Sequence, residues 1–596
     1  MKNIIKSIIL LLVFIGIVRG DTYLVCATPG EPVYPDWTNI QTAVYAAGAG
    51  DRIHVYPGIY RESLIFSNSG TAENPIIIQG QGPGVIIDGS IELTTNLFKW
   101  TASTNANIWY LEDIAGGVST LIDPGGVWID DVYQFNGHYT SSWLTNNVQT
   151  IWATNFAWGD GNSLGFDTLY IFQTNNPNTS GAKIEVSQRS RCIYIYRESF
   201  ITFENIEMRK SGIKTNVHPI AYLYEADNIT FTNCRIHDAS GQAGAIYVMR
   251  GANISILNSE IYNCYDPDGS GYGSLIFFES SNTRQCTNIV LKGNTIYNCY
   301  ARLGDLFGCI GTWVSSVPYG AYNAIIENNE FYGYGQNGVY FRSGCNSNLV
   351  RNNYFHNIKG WETTGGIVVQ LRDAANWNKV YNNLAINCYG PAMQSDGKNG
   401  ASGSTNARCD GNEFYNNTLL NGSNTNTANG MHFFGDNTNL IVKNNITVSR
   451  VGDMILIGNA TDVTWCGGAT LSNNRYYKTV ETGSEFVFRD TNYTTLSAMQ
   501  IAMTEAGYPN EIDSTYGDPG FAVEFPSTES GAQLSSTSPC IDIGTNADWM
   551  VSALDRANKD RINQLIVDIG CFEYYITVLK PTSLSISMQT FLNMLR

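Results

Sequence analysis

A short phrase keeps returning along this chain. "NITFTNCRIHD" at residues 228–238 is followed by "NISILNSEIYN" at residues 253–263. Anchored on Asn before a short apolar strand, the phrase recurs at Asn233, Asn258, Asn294, Asn329, Asn353, Asn383, Asn417, Asn445 and Asn474, at intervals of 25, 36, 35, 24, 30, 34, 28 and 29 residues. A repeat built from a fixed pair of helices would hold its length. Intervals this uneven fit a coil whose strands are constant and whose loops are free to swell.

Each unit holds two or three strands of period-2 alternation, rich in β-branched and aromatic residues and separated by Gly, Asn and Ser. No stretch sustains an apolar period of 3.6, and no hairpin signal separates the strands. Parallel stacking follows, each coil bonded to the next at about 4.8 Å. Equivalent residues then lie directly above one another, and the Asn side chains form an internal ladder, each amide donating and accepting. The expected fold is all-β: a right-handed parallel β-helix. Cys264, Cys299 and Cys388 share one register and are expected as stacked thiols in a dry core, with disulfides between neighbouring rungs as the alternative.

The ends and the balance of charge set the setting. Lys2 and Lys6 precede an apolar run from Ile8 to Val18, with Gly20 before Asp21, the pattern of a secretory leader over residues 1–20. The run is shorter than the roughly 20 residues of a membrane span, and Val25 before Cys26 does not suit a lipid anchor. A secreted or cell-surface protein without a membrane span is expected. A net charge of -17 argues against nucleic acid and anionic membranes as partners. The thirteen cysteines show no C-x-x-C spacing.

"NIQTAVYAAGAGDRIHVYPGIYRESLIF" (39–66) and "SGTAENPIIIQGQGPGVIIDGS" (69–90) resemble the N-terminal capping helix and first coils of secreted β-helix proteins of the pectate-lyase-like superfamily. "DPGF" at Asp518, "LSSTSPCIDIG" ending at Gly544 and "DIGCFE" from Asp568 are similar to the segment that closes such chains. The resemblance implies a cap with first coils over 21–95, a main helix over 187–480 and a closing segment over 481–596. Between them, residues 96–186 carry Trp100, Trp109, Trp128, Trp143, Trp152 and Trp158 and read as a small β insertion. No motif of an individual enzyme family on this scaffold is matched.

A β-helix has no deep interior pocket, so chemistry must sit on an outward face. One strand column reads "AIYVMRG" (245), "SLIFFES" (274), "GVYFRSG" (338), "GIVVQLRD" (366), "AMQSDGK" (392) and "GMHFFGD" (430). Alternation sends Ile246, Val248, Val339, Phe341, Ile367 and Val369 inward. It sends Tyr247, Phe278, Tyr340, Arg342, Gln370, His432 and Phe434 outward. Of these, Tyr247, Phe278, Tyr340, Gln370, His432 and Phe434 are the candidate substrate-binding residues. The strand ends carry Arg250, Glu279, Arg342, Arg372, Asp373, Asp396, Lys398 and Asp436.

Asp373 and Asp396 on adjacent rungs would lie about 5 Å apart, the separation of a retaining glycosidase pair. Arg342 and Arg372 beside Asp373 would instead suit elimination on a uronic acid, one basic group taking the proton and another neutralising charge. These charges also make sense as salt bridges between stacked rungs. "DPDGSG" (266–271) offers Asp266 and Asp268 as candidate ligands for Ca2+, the one cofactor indicated, although a plain turn explains it equally. The functional expectation is a secreted glycoside hydrolase or polysaccharide lyase with a polysaccharide or oligosaccharide as partner. The alternative is a non-catalytic, adhesin-type carbohydrate-binding solenoid. Long loops at 395–408 and 300–321, on one side of the stack, favour the enzyme.

Overall fold

The computed structural model describes residues 20–575, apart from 28–34, 94–97, 105, 113–124, 135–157, 161–167, 213–217, 242–243, 266–273, 301–307, 315–318, 336, 361–365, 398–407, 422–429, 451, 459–468, 481–484, 509–510 and 564. The expected leader up to residue 19, Asp266, Asp268, Lys398, Trp143, Trp152, most of the loop at 395–408, half of that at 300–321 and the tail from residue 576 lie outside the described residues. Among the described residues no helix is long and apolar enough to cross a membrane.

Three long parallel sheets of 14, 13 and 13 strands make the body, and each coil between the ends contributes one strand to each. One coil runs Ser199–Glu204 in the first sheet, Glu207–Arg209 in the second and Ala221–Tyr224 in the third; the next repeats it with Asp227–Thr232, Arg235–Ala239 and Ile246–Met249. The third sheet closes on one antiparallel strand, Thr491–Tyr493. Fold class is therefore as the alternation predicts, a right-handed parallel β-helix.

Inward side chains form files of like residues. Phe203, Phe231, Ile256, Leu291, Ile326 and Val350 follow one another in register, all fully buried. The Asn ladder is present in the core from Asn294 through Asn329, Asn353, Asn383, Asn417 and Asn445 to Asn474. In each pair the Oδ1 of the later Asn accepts both the backbone N–H and the side-chain amide of the earlier one, at 2.9–3.1 Å.

The first two anchors need correction. Asn233 and Asn258 stand one residue earlier, at the left-handed turn (φ 52° and 48°), and Cys234 and Ser259 occupy the ladder register instead. A second ladder, Asn348–Asn378–Asn412, lines the corner between the third and first sheets. All twelve described cysteines are buried and none is in a disulfide; Cys264 and Cys299 are register partners. The thiol reading holds.

The helix Ile40–Ala46, capped by Asn39, buries Ile40, Ala43 and Val44 against the open end of the stack. Between the early coils, Ser90–Glu92, Val127–Ile129, Val132–Gln134 and Ile184–Ser187 form one antiparallel sheet, and Thr101–Ala102, Ile108–Glu112, Trp158–Asp160 and Thr168–Phe172 another. Glu185 ties this unit to the β-helix, pairing with Arg61 at 2.7 Å and Lys210 at 2.5 Å. Burial works to raise the Glu185 pKa, but Lys210 and Arg61 outweigh it and bring it down to about 2. Trp100 and Trp128 are buried within the unit.

Candidate active site on the third sheet

The outward face of the third sheet is a pair of files. Tyr194, Tyr222, Tyr247 and Phe277 follow in register; farther along the same sheet come Tyr340, Gln370, Gln394 and His432. Two residues along each strand stand Arg342, Arg372, Asp396 and Phe434. Phe278 does not belong here. It is the register partner of Val248 and lies in the core, because the outward aromatic of that strand is Phe277. Ile367 is likewise not a core residue: Val368 and Val369 are, while Ile367 sits half-buried at the strand start.

Outward does not mean exposed. Tyr247, Tyr340, Gln370, Gln394 and His432 are all buried, as are Asp373 and Asp396. Tyr247 stacks on Phe277 (centroids 5.3 Å apart) and its hydroxyl donates to Glu279, so its ring offers no face to a sugar.

The charged group sits where the strands run out. Asp373 is not in register with Asp396; Arg372 is. Strand Ile367–Arg372 ends, and Asp373 and Ala374 turn left-handed (φ 50° and 63°). That turn brings the Asp373 carboxylate back: Oδ2 accepts from Arg342 Nε at 2.7 Å and lies 3.7 Å from Arg372 Nε. The same Arg372 Nε lies 3.4 Å from Asp396 Oδ2. Two buried carboxylates from neighbouring rungs thus share one guanidinium. Burial works against charge on Arg372, yet Tyr340, Asp396 and Asp373 outweigh it and raise its pKa. Burial pushes the Tyr340 phenol up, against Arg342 and Arg372. Burial alone drives His432 down to about 3, leaving a neutral imidazole edge-on to Phe434 at 5.3 Å.

Buried polar atoms are almost always paired. Here Gln370 Oε1, Asp373 Oδ1, His432 Nε2 and Asp436 Oδ1 are not. Such a convergence on one face is what a hydroxyl-bearing ligand would satisfy. Asp436 otherwise pairs with Arg408 at 2.9 Å. Gln394 escaped the sequence reading although "AMQSDGK" places it in the Gln370 position. Of the other strand-end charges, Arg250 and Glu279 belong to the aromatic part of the face, Arg250 lying over the Tyr224 ring at 4.6 Å. A hollow of about 470 Å³ lies elsewhere, lined by Leu420, Val448, Arg450 and Phe525; it gathers no paired titratable groups, so the chemistry favours the third sheet. Among the described residues no group of three or more His, Cys, Asp or Glu side chains is placed to hold a metal ion.

Comparison with known proteins agrees with this architecture. No curated protein sequence matches. Among solved structures the chain is similar to a complex of XylC with xylose (14% identity, 93% of this chain and 98% of the other, TM-score 0.59). It is also similar to the pectate lyase Pel9A (14%, 94% and 98%, TM-score 0.41) and to the Streptococcus pneumoniae surface protein and adhesin PfbA (14%, 75% and 95%, TM-score 0.45). At these identities the likeness is one of fold. The family model described as "Right handed beta helix region" matches residues 167–317 and 315–476, more than half of the chain, and the protein therefore belongs to that family.

Proposed function

We propose that this protein is a secreted glycoside hydrolase of the retaining type, acting on a polysaccharide or oligosaccharide laid across the third sheet. The observation that carries the reading is the approach of both Asp373 Oδ2 and Asp396 Oδ2 to one Arg372 Nε. Retaining enzymes hold two carboxyl groups about 5–5.5 Å apart, close enough for one to attack the anomeric carbon while the other protonates the leaving oxygen. Asp373, contacted by two guanidinium groups, takes the part of the ionised nucleophile. Asp396, next to one, takes that of the acid and then the base.

Elimination fits less well. A lyase base must give up its proton, whereas the raised pKa of Arg372 holds it protonated, and Arg342 is spent on Asp373. The orphaned acceptors of Gln370, Asp373 and Asp436 favour a ligand that donates through hydroxyls.

The test is a product assay of the chain from Asp21 onward on neutral and acidic polysaccharides, following new reducing ends, ultraviolet absorbance of unsaturated uronides and the anomer released. The expected result is reducing ends of retained configuration without that absorbance. Asp373→Asn and Asp396→Asn are expected to lose roughly 10²–10⁴-fold in kcat. Unsaturated products would transfer the reading to a lyase, and retention of a polymer without cleavage would transfer it to a binding solenoid.

A further inference from the structure

The corner between the third and first sheets turns through one left-handed residue per coil. Phe200, Asn228, Asn253, Asn288, Asn323, Ser347, Trp377, Gly411 and Asn439 fill it, with φ between 51° and 64°. Seven of the nine are residues whose small or locally bonding side chains suit that conformation. The other two are aromatic: Phe200, half-buried in the earliest of these coils, and Trp377. A bulky side chain there is strained, and strain of this kind persists where function holds it in place.

Trp377 is also 53% exposed. Its six-membered ring lies on the bare backbone of the next coil: a Cβ added to Gly411 would come within 2.2 Å of Trp377 Cε3. Glycine thus lets the ring lie down on the corner. Asn376, the residue before it, continues the file Thr287–Tyr322–Asn346. Tyr322 in that file is 42% exposed, two coils away, which is roughly 10 Å along the axis. Two exposed aromatic rings at that interval match alternate units of an extended sugar chain.

Their place is as telling as their exposure. Trp377 lies four residues after Asp373 on the same turn, so the two Cα atoms are at most about 14 Å apart. We propose that Trp377, with Tyr322, is a stacking platform for the apolar face of a sugar unit in a glycan chain that passes on to Asp373 and Asp396. Its link to the reacting bond rests on the function proposed above; the platform itself does not.

Affinity electrophoresis through gels containing xylan, glucomannan, arabinan or polygalacturonate tests it, run with the full chain carrying Asp373→Asn so that no polymer is cut. Retardation by at least one of the four is expected, with Trp377→Asn weakening it about tenfold and Trp377→Phe less. Asn already occupies this turn in five other coils, so Trp377→Asn is expected to fold and to melt at a higher temperature than its parent. Loss of binding together with gained stability separates a ligand platform from a structural tryptophan. Unchanged retardation in Trp377→Asn, or no retardation by any of the four, would overturn the proposal. Cleavage that survives Asp373→Asn would sink the hydrolase reading alone and leave the platform standing.

Discussion

Glu511 shows how far a single side chain can be moved by its surroundings. It is buried at the C-terminal end of the Asn ladder, where Tyr476 Oη donates to its Oε1 and Asn474 Nδ2 lies 3.4 Å away. Burial raises its pKa to about 7, more than those donors can offset. The folded protein therefore holds this proton more tightly than the unfolded chain does. Its contribution to stability is greatest below the unfolded value near 4.3, falls as pH rises, and stays low above about 7. Glu511→Gln is expected to gain melting temperature relative to the parent between pH 5 and 8 and to match it near pH 4, by calorimetry across that range. Parallel curves for the two proteins would mean that Glu511 keeps an ordinary pKa. Position 511 was not legible as titratable in this way, because alternation cannot say that "EI" is the last strand of the first sheet.

At the scale of the element, the coil is held by files of identical groups. Asn383 receives two hydrogen bonds from Asn353, gives its amide to Val350 O at 2.8 Å and bonds to Asn417 Oδ1 at 3.0 Å. Asn383→Ala strands buried donors and acceptors on both neighbouring coils, and a loss of about 2–4 kcal/mol in denaturant unfolding is expected. The outward files obey the same geometry with a different consequence. On the second sheet His237, Tyr262, Tyr297, Tyr332 and His356 stack at 4.5–5.0 Å. Rings stacked this closely cover one another's faces and present edges, so the strip stiffens the sheet and offers sugars no platform. The same argument removes Tyr247 from the candidate binding residues and leaves Trp377, which stacks on no other ring among the described residues and is 53% exposed.

Across the whole molecule, the continuous core makes the thiols a reporter of global unfolding. Burial lifts Cys192, Cys234, Cys388, Cys409, Cys540 and Cys571 to about 12, so their thiolates are scarce at neutral pH. Of the thirteen cysteines only Cys466 lies outside the described residues. Alkylation of the native protein is expected to modify at most that one, and mass spectrometry along a denaturant series should show the other twelve reacting together at the unfolding midpoint. Early labelling of a core cysteine would show that the coils open separately, as weakly coupled repeats can.

Sequence by itself determined the parallel coil, the buried Asn ladder, the thiol core and the column that carries the charged residues, because each follows from periodicity and residue type. It reached Asp373, Asp396, Arg342 and Arg372 as a group. Only the tertiary structure decided which residue faces which. A single-residue ambiguity in strand register reverses inside and outside, and it is what misplaced Phe278, Asn233 and Asn258. Likewise, no pattern in the chain shows that Asp373 curls back through a left-handed turn to meet Arg342 while Arg372 stands opposite Asp396. Nor could it show that Trp377 rests on Gly411, since that contact joins two coils separated by a loop of free length.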